Sequence, residues 1–235
     1  MNKQPVDIHE KQYNRNLLVL VLIIGSFCTV LNGTLLSTAL PSIMRDFKIS
    51  TATAEWLSTA FLLVNGVMIP ISAWLINRFG SRKMYLSAMS TFFIGTVIAA
   101  IAPNFQTLLA GRIIQGLGVG VTMPLLQTIM LSIFPANKRG AAMGTVGIVI
   151  GLAPAIGPTL SGWVVDNLSW RYLFSIIAPI AGIVVILAAF LVKDVLPTKD
   201  EKIDVFSVAT STIGFGSLLY GFSEAGNKGW TNPEI

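Results

Sequence analysis

The chain has one cysteine, one histidine and 11 acidic residues in 235, and each scarcity removes a class of function. Cys28 alone cannot close an internal disulfide or hold a thiolate metal cluster, and it reads as a small packing residue in an apolar run. His9 stands in the polar N-terminal stretch, so no catalytic triad can be assembled around it. Acids are missing from the middle of every apolar run. Glu55 and Asp166 stand at run ends, and Asp204 and Glu224 bracket the last one. Intramembrane hydrolysis or group transfer needs a carboxylate pair, a serine with a base or a metal set, so an enzyme is excluded and no cofactor or metal is expected.

Apolar residues fill the space that charge has vacated. Hydrophobic residues make up 53% of the chain and charged ones 11%, and the mean hydropathy is +0.72, far from the balance of a soluble domain. Seven runs carry no charge, at 16–44, 56–77, 84–111, 113–137, 140–165, 172–192 and 205–223. Each supplies the roughly 20 residues that cross a bilayer as a helix, the last being short and rich in Gly, Ser and Thr. The first run is too long for a cleaved signal peptide and is read as retained. The expected fold is therefore an all-α integral membrane protein. Its divisions are a cytoplasmic tail at 1–16, six helices at 17–192, a charged linker with Pro197 at 193–204, a seventh transmembrane helix at 205–222 and an extracytoplasmic tail at 223–235.

The net charge of +5 is distributed by topology. Lys3, Lys11 and Arg15 precede the first run; Arg78, Arg82 and Lys83, then Lys138 and Arg139, then Lys193, Lys199 and Lys202 fill alternate loops. By the positive-inside rule the N-terminus is cytoplasmic and the protein is multi-pass in the plasma membrane. Cations scattered over short loops, without interleaved aromatics, do not make a nucleic-acid surface.

One cation breaks the pattern. Arg112 lies about two turns inside an apolar run, where a charge costs at least a few kcal/mol and marks a functional site by default. Gln115 is three residues on, on the same helix face, and Gly116, Gly118 and Gly120 permit a close helix neighbour. Arg cannot donate its proton at neutral pH, so its role is electrostatic, holding a carboxylate ionised or attracting one; pinning a helix through backbone carbonyls is the structural alternative.

Four patterns in order resemble the major facilitator superfamily, and more narrowly the N-terminal half of the fourteen-helix drug:proton antiporters of EmrB/QacA type. Ala73-Trp-Leu-Ile-Asn77-Arg78-Phe-Gly80-Ser-Arg82-Lys83 is similar to the family's Gly-x-Leu-Ala-Asp-Arg-x-Gly-Arg-Lys gating loop, with Asn77 where the family has Asp. Arg112-Ile-Ile-Gln115-Gly116 resembles its Arg-x-x-Gln-Gly segment. The run from Gly147 through Gly151, Pro154, Gly157 and Pro158 looks like its antiporter hinge, with small-residue rows Gly147/Gly151/Ala155 and Ala153/Gly157/Ser161. Leu31-Asn32-Gly33-Thr34 resembles Leu-Asp-x-Thr, with Asn32 replacing an acid that could carry a coupling proton.

The resemblance implies a six-helix bundle built as a 3+3 inverted repeat, plus one extra transmembrane helix. It implies efflux of hydrophobic or cationic small molecules by proton antiport, with Arg112, Gln115 and Asn32 in transport and coupling. Asn65, Phe61, Met68, Met123 and Gln127 are expected to line the cavity, with Arg139 joining the gating loop. The expected partners are the lipid bilayer, protons and a missing or separate C-terminal bundle. The alternative is a truncated or split half-transporter that acts only with that second half.

Overall fold

The computed structural model describes residues 6–8, 12–200 and 205–228; His9, Asp204 and the side chain of Glu224 lie outside the described set. Among the described residues seven helices follow one another: α1 (Arg15–Phe47), α2 (Thr51–Phe79), α3 (Ser81–Ala100), α4 (Phe105–Ile133), α5 (Ala136–Asn167), α6 (Arg171–Leu191) and α7 (Val205–Lys228). Their starts are chemically marked. The side chains of Asn14, Ser50 and Asn104 accept from first-turn amides of α1, α2 and α4, satisfying donors that have no partner within the helix. Gly80, at φ 81°, is the single residue between α2 and α3, a backbone state that a side chain would strain.

Helices α1 to α6 are each long and apolar enough to cross a membrane. α7 forms a helix where the seventh span was expected, with an apolar stretch at Val208–Leu218 among its described residues. Its Gly, Ser and Thr are concentrated within that stretch. α7 also continues to Lys228, past the expected end at 222, and it packs along α2, where the rings of Trp56 and Tyr220 are 6.5 Å apart.

α4 packs against α2 and α3, while α1 packs against α5 and α6; α3 and α6 meet behind them, and α1 touches α4. Thus α1 relates to its neighbours as α4 does to its own, the packing form of a three-plus-three repeat. α3 and α4 approach each other closely. A Cβ on Gly95 would stand 2.7 Å from both the Gln115 amide nitrogen and the Gly111 carbonyl oxygen, so only glycine fits there.

The linker after α6 is a strap rather than a free connection over its described part. Ser81 Oγ donates to Lys193 O at 3.2 Å and accepts from Val195 N at 3.0 Å. Lys199 N donates to Asn77 O at 2.9 Å, Leu196 is buried, and Ile8 N donates to Asp194 O at 3.0 Å. Segment 193–200 therefore lies across the α2–α3 loop.

Candidate functional site

Arg112 points into the bundle and is 1% exposed. Its Nη1 donates to Asn32 Oδ1 at 2.7 Å and to Gln115 Oε1 at 2.9 Å, and its Nε donates to Leu57 O at 3.4 Å. The Phe61 ring lies 4.0 Å from the guanidinium carbon, within cation–π range. A guanidinium only donates, so both amides must turn their oxygens toward it. Gln115 then has its Nε2 free to donate to Thr96 Oγ1 at 2.8 Å, and Thr96 passes its own proton to Phe92 O at 2.7 Å. The network joins α1, α2, α3 and α4 through one cation.

Its electrostatics are unusual. Among the described residues the only buried charged side chains are Asp7, in the N-terminal segment, and Arg112. Amide dipoles, a carbonyl and a ring face stabilise the cation, and no carboxylate among the described residues neutralises it. Arg112, Gln115, Asn32 and Phe61, placed far apart in sequence, thus converge. Leu57 O and Thr96 complete the set. Thr96 is one of six hydroxyl residues on α3, and nothing in the local sequence sets it apart.

The remaining cavity residues do not join this cluster. Asn65 and Met68 are half-buried on α2, packed toward Gly120 of α4. Met123 is half-buried and Gln127 exposed further along α4. Gln127 is fifteen residues from Arg112, about 22 Å of helix.

On α5 the two small-residue rows part company. Gly157 and Ser161 face α1, with Ser161 Oγ donating to Leu35 O at 2.7 Å, whereas Gly147 and Gly151 have nothing within 4 Å of an added Cβ. Pro154 and Pro158 lie within the helix and are exposed.

The α2–α3 loop is held by its own bundle. Arg78 pairs with Asp200, Arg82 Nη2 donates to Ala189 O at 2.8 Å, and Asp194 Oδ1 accepts from the Arg82 amide at 2.9 Å. Asp194 brings to the first turn of α3 a carboxylate that neither Asn77 nor Gly80 can supply. Lys83 is exposed beside them. Arg139 donates instead to Phe134 O at 3.1 Å, at the α4–α5 junction. At the opposite ends of the helices Asp46 accepts from Arg171 at 2.7 Å and from Trp170 Nε1 at 3.0 Å, a tie between α1 and α6 that sequence reading did not single out.

The family model described as Major Facilitator Superfamily matches residues 22–228. The chain belongs to that superfamily. It is 54% identical to the uncharacterized MFS-type transporter YcnB of Bacillus subtilis, over 97% of this chain and 48% of that protein. It is 41% identical to the lincomycin resistance protein LmrB of Bacillus subtilis, over 96% and 47%. It is 32% identical to the multidrug export protein EmrB of Haemophilus influenzae, over 92% and 42%. A crystal structure of a peptide transporter, POT, matches with TM-score 0.70 at 14% identity, over 92% of this chain and 47% of that one, which bears on fold alone. The chain spans about half the length of the curated relatives it matches. It is a multi-pass membrane protein of a transporter family.

Proposed function

We propose that this chain is the N-terminal half of a secondary active transporter that exports hydrophobic or cationic drugs in exchange for protons, by rocking one bundle against a second. The observation that carries this reading is Arg112. It sits at the crossing of α1, α2, α3 and α4, turned toward its own bundle and away from lipid. Permanent charge at that depth is costly, and a purely structural bundle would place an apolar residue there. The drug-resistance names of LmrB and EmrB support the substrate class. Asn32 accepts from Arg112 but does not titrate, so the coupling proton travels by another acid, and Asn32 with Gln115 orients the cation. The protein resides in the plasma membrane with its N-terminus cytoplasmic, the α2–α3 loop acts in gating, and α5 is the hinge.

Accumulation of lincomycin and of ethidium in efflux-deficient cells tests the reading. Cells expressing the chain fused to the complementary C-terminal half of a relative should hold less drug, and a protonophore or Arg112→Ala should restore the drug to control levels. A second reading is favoured by the half-length match and by the open Gly147/Gly151 row: a half-module active only beside a separate C-terminal bundle. Co-expression with the complementary half of a relative separates the two. Unchanged accumulation in both formats refutes transport.

A further inference from the structure

A guanidinium carries five N–H groups in a fixed fork. In Arg112, Nη1 donates twice and Nε once, whereas Nη2 donates to none of the described residues. An open edge on a permanent cation would take a carboxylate or sulfonate from any solute that reached it. The Phe61 ring stands in the way. It lies over the guanidinium at 4.0 Å and is itself 5% exposed, while the cation beneath it is 1% exposed.

One edge of that ring faces α1. Gly33 is half-buried, and among the described residues a Cβ there would approach a neighbouring helix within 4 Å only at Phe61 Cε1, 3.9 Å away. The absent side chain leaves a notch whose floor is the ring. Thr34 abuts Gly157 of α5, so the notch opens between α2 and α5, on the side given above to the solute path. Ser37 is exposed, four residues from Gly33 and therefore on the same helix face. Thr34 Oγ1 donates to Leu31 O and Ser37 Oγ to Thr34 O, each at 2.9 Å. Both protons are used inside α1, and the hydroxyls turn lone pairs outward. The notch thus offers an aromatic floor and acceptors at its rim, with the guanidinium sealed beneath.

We propose that this notch is a subsite for the apolar, neutral or cationic part of the exported solute, and that Phe61 determines its specificity by sealing Arg112 from anions. The solute role rests on the transport reading; the seal rests on the packing around Arg112 alone.

Phenylglyoxal, an aromatic dicarbonyl that condenses with guanidinium groups, tests the seal on the purified full chain, with adducts located by peptide mass spectrometry. In the wild type Arg45 and Arg139, both exposed, should be modified and Arg112 should not. Phe61→Ala vacates a space the size of the reagent's own ring, so modification of Arg112 should rise to the level of Arg171, whose side chain is 33% exposed. Phe61→Leu keeps more of the packing and should give an intermediate rise. Phe174→Ala removes a buried ring from α6, which has no part in the Arg112 network, and should leave Arg112 unmodified. Specificity is read in the chain fused to the C-terminal half of a relative. There Phe61→Ala should raise the KM for ethidium roughly ten-fold through the lost ring contact, and it should begin export of the anion anilinonaphthalene sulfonate, which the wild type leaves in the cell. A protected Arg112 in both Phe61 variants overturns the proposal, as does equal modification in Phe174→Ala, which would report a loosened bundle. So does an active fusion whose preference for ethidium over the sulfonate survives Phe61→Ala. A wild-type fusion that exports neither dye refutes the transport reading and the solute role with it, while the modification pattern still decides the seal.

Discussion

Asn32→Asp is the sharpest perturbation of the Arg112 network, because it changes one atom type and supplies the missing counter-charge. The carboxylate oxygen replaces an amide oxygen already 2.7 Å from Nη1. Two unit charges centred about 4 Å apart attract by about 4 kcal/mol at an effective dielectric of 20. Against this stands the desolvation of a carboxylate that is 2% exposed in its amide form, a penalty of several kcal/mol for an ion taken out of water. The cation, however, is already desolvated in the wild type, so only one of the two usual penalties is new. We expect a net gain of about 1 to 2 kcal/mol, which for a chain of this size raises the thermal midpoint by about 2–8 °C. Tryptophan fluorescence of the detergent-purified chain during heating is the assay. Asn32→Leu is the companion, and it should cost about 2–4 kcal/mol by leaving Nη1 short of an acceptor. A lowered midpoint for Asn32→Asp together with an unchanged one for Asn32→Leu would refute the idea that amides carry the compensation of this charge.

Three further outcomes follow from the packing. Gly95→Ala drives a Cβ against backbone atoms of α4 that cannot rotate away, and it should cost about 1–3 kcal/mol in the same melting assay. Gly157→Leu should destabilise by a similar amount because it meets Thr34 of α1, whereas Gly147→Leu should stay within about 0.5 kcal/mol for the chain alone; equal effects would contradict the assignment of the packed row. Asp194→Ala removes the acceptor at the start of α3, a loss of about 1 kcal/mol, and amide exchange over residues 81–85 should quicken while the rest of α3 is unchanged.

How far these contacts could be read in the sequence depended on their range. The six long helices follow from charge-free runs, since burial in lipid asks only for length and apolarity. The Arg112 and Gln115 pairing follows from helical spacing, and the structure joins them at 2.9 Å. Asn32 lies 80 residues from Arg112, so its place came from resemblance to a family pattern and not from any local rule. Leu57 was out of reach, because its contribution is a backbone carbonyl that every residue possesses. On α5 both rows of small residues satisfy the same spacing, and the choice between them is made by Thr34 and Leu35 on another helix. The linker's charges and proline mark a break in the helices, yet they do not reveal that Asp194 turns back to cap α3. α7 was legible as a helix from its charge-free run, and its apolar stretch at Val208–Leu218 falls inside that run.

The sequence left two readings of Arg112 open, an electrostatic role and a helix pin, and a further variant separates them. The Nε bond to Leu57 O is a helix pin; the bonds of Nη1 to two amides and the stacking on Phe61 are the features of an oriented cation. A pin needs one donor. Three acceptors from three helices plus a ring face need a planar fork, which Lys lacks. Arg112→Lys keeps the charge, and its ammonium can still reach the amides, but it gives up the Leu57 bond and the planar stacking. The expected loss is about 2 kcal/mol, roughly half from a hydrogen bond and half from the ring contact. Phe61→Leu supplies the control in a double-mutant cycle. It should cost about 1 kcal/mol beyond ordinary packing in the wild type and lose that excess in the R112K background. If R112K melts like the wild type and the cycle closes with no coupling, the fork is irrelevant and Arg112 serves only as a point charge. If the coupling is present and drug accumulation rises with R112K despite the retained charge, the direction of the guanidinium, and not its charge alone, is what the bundle has been built to hold.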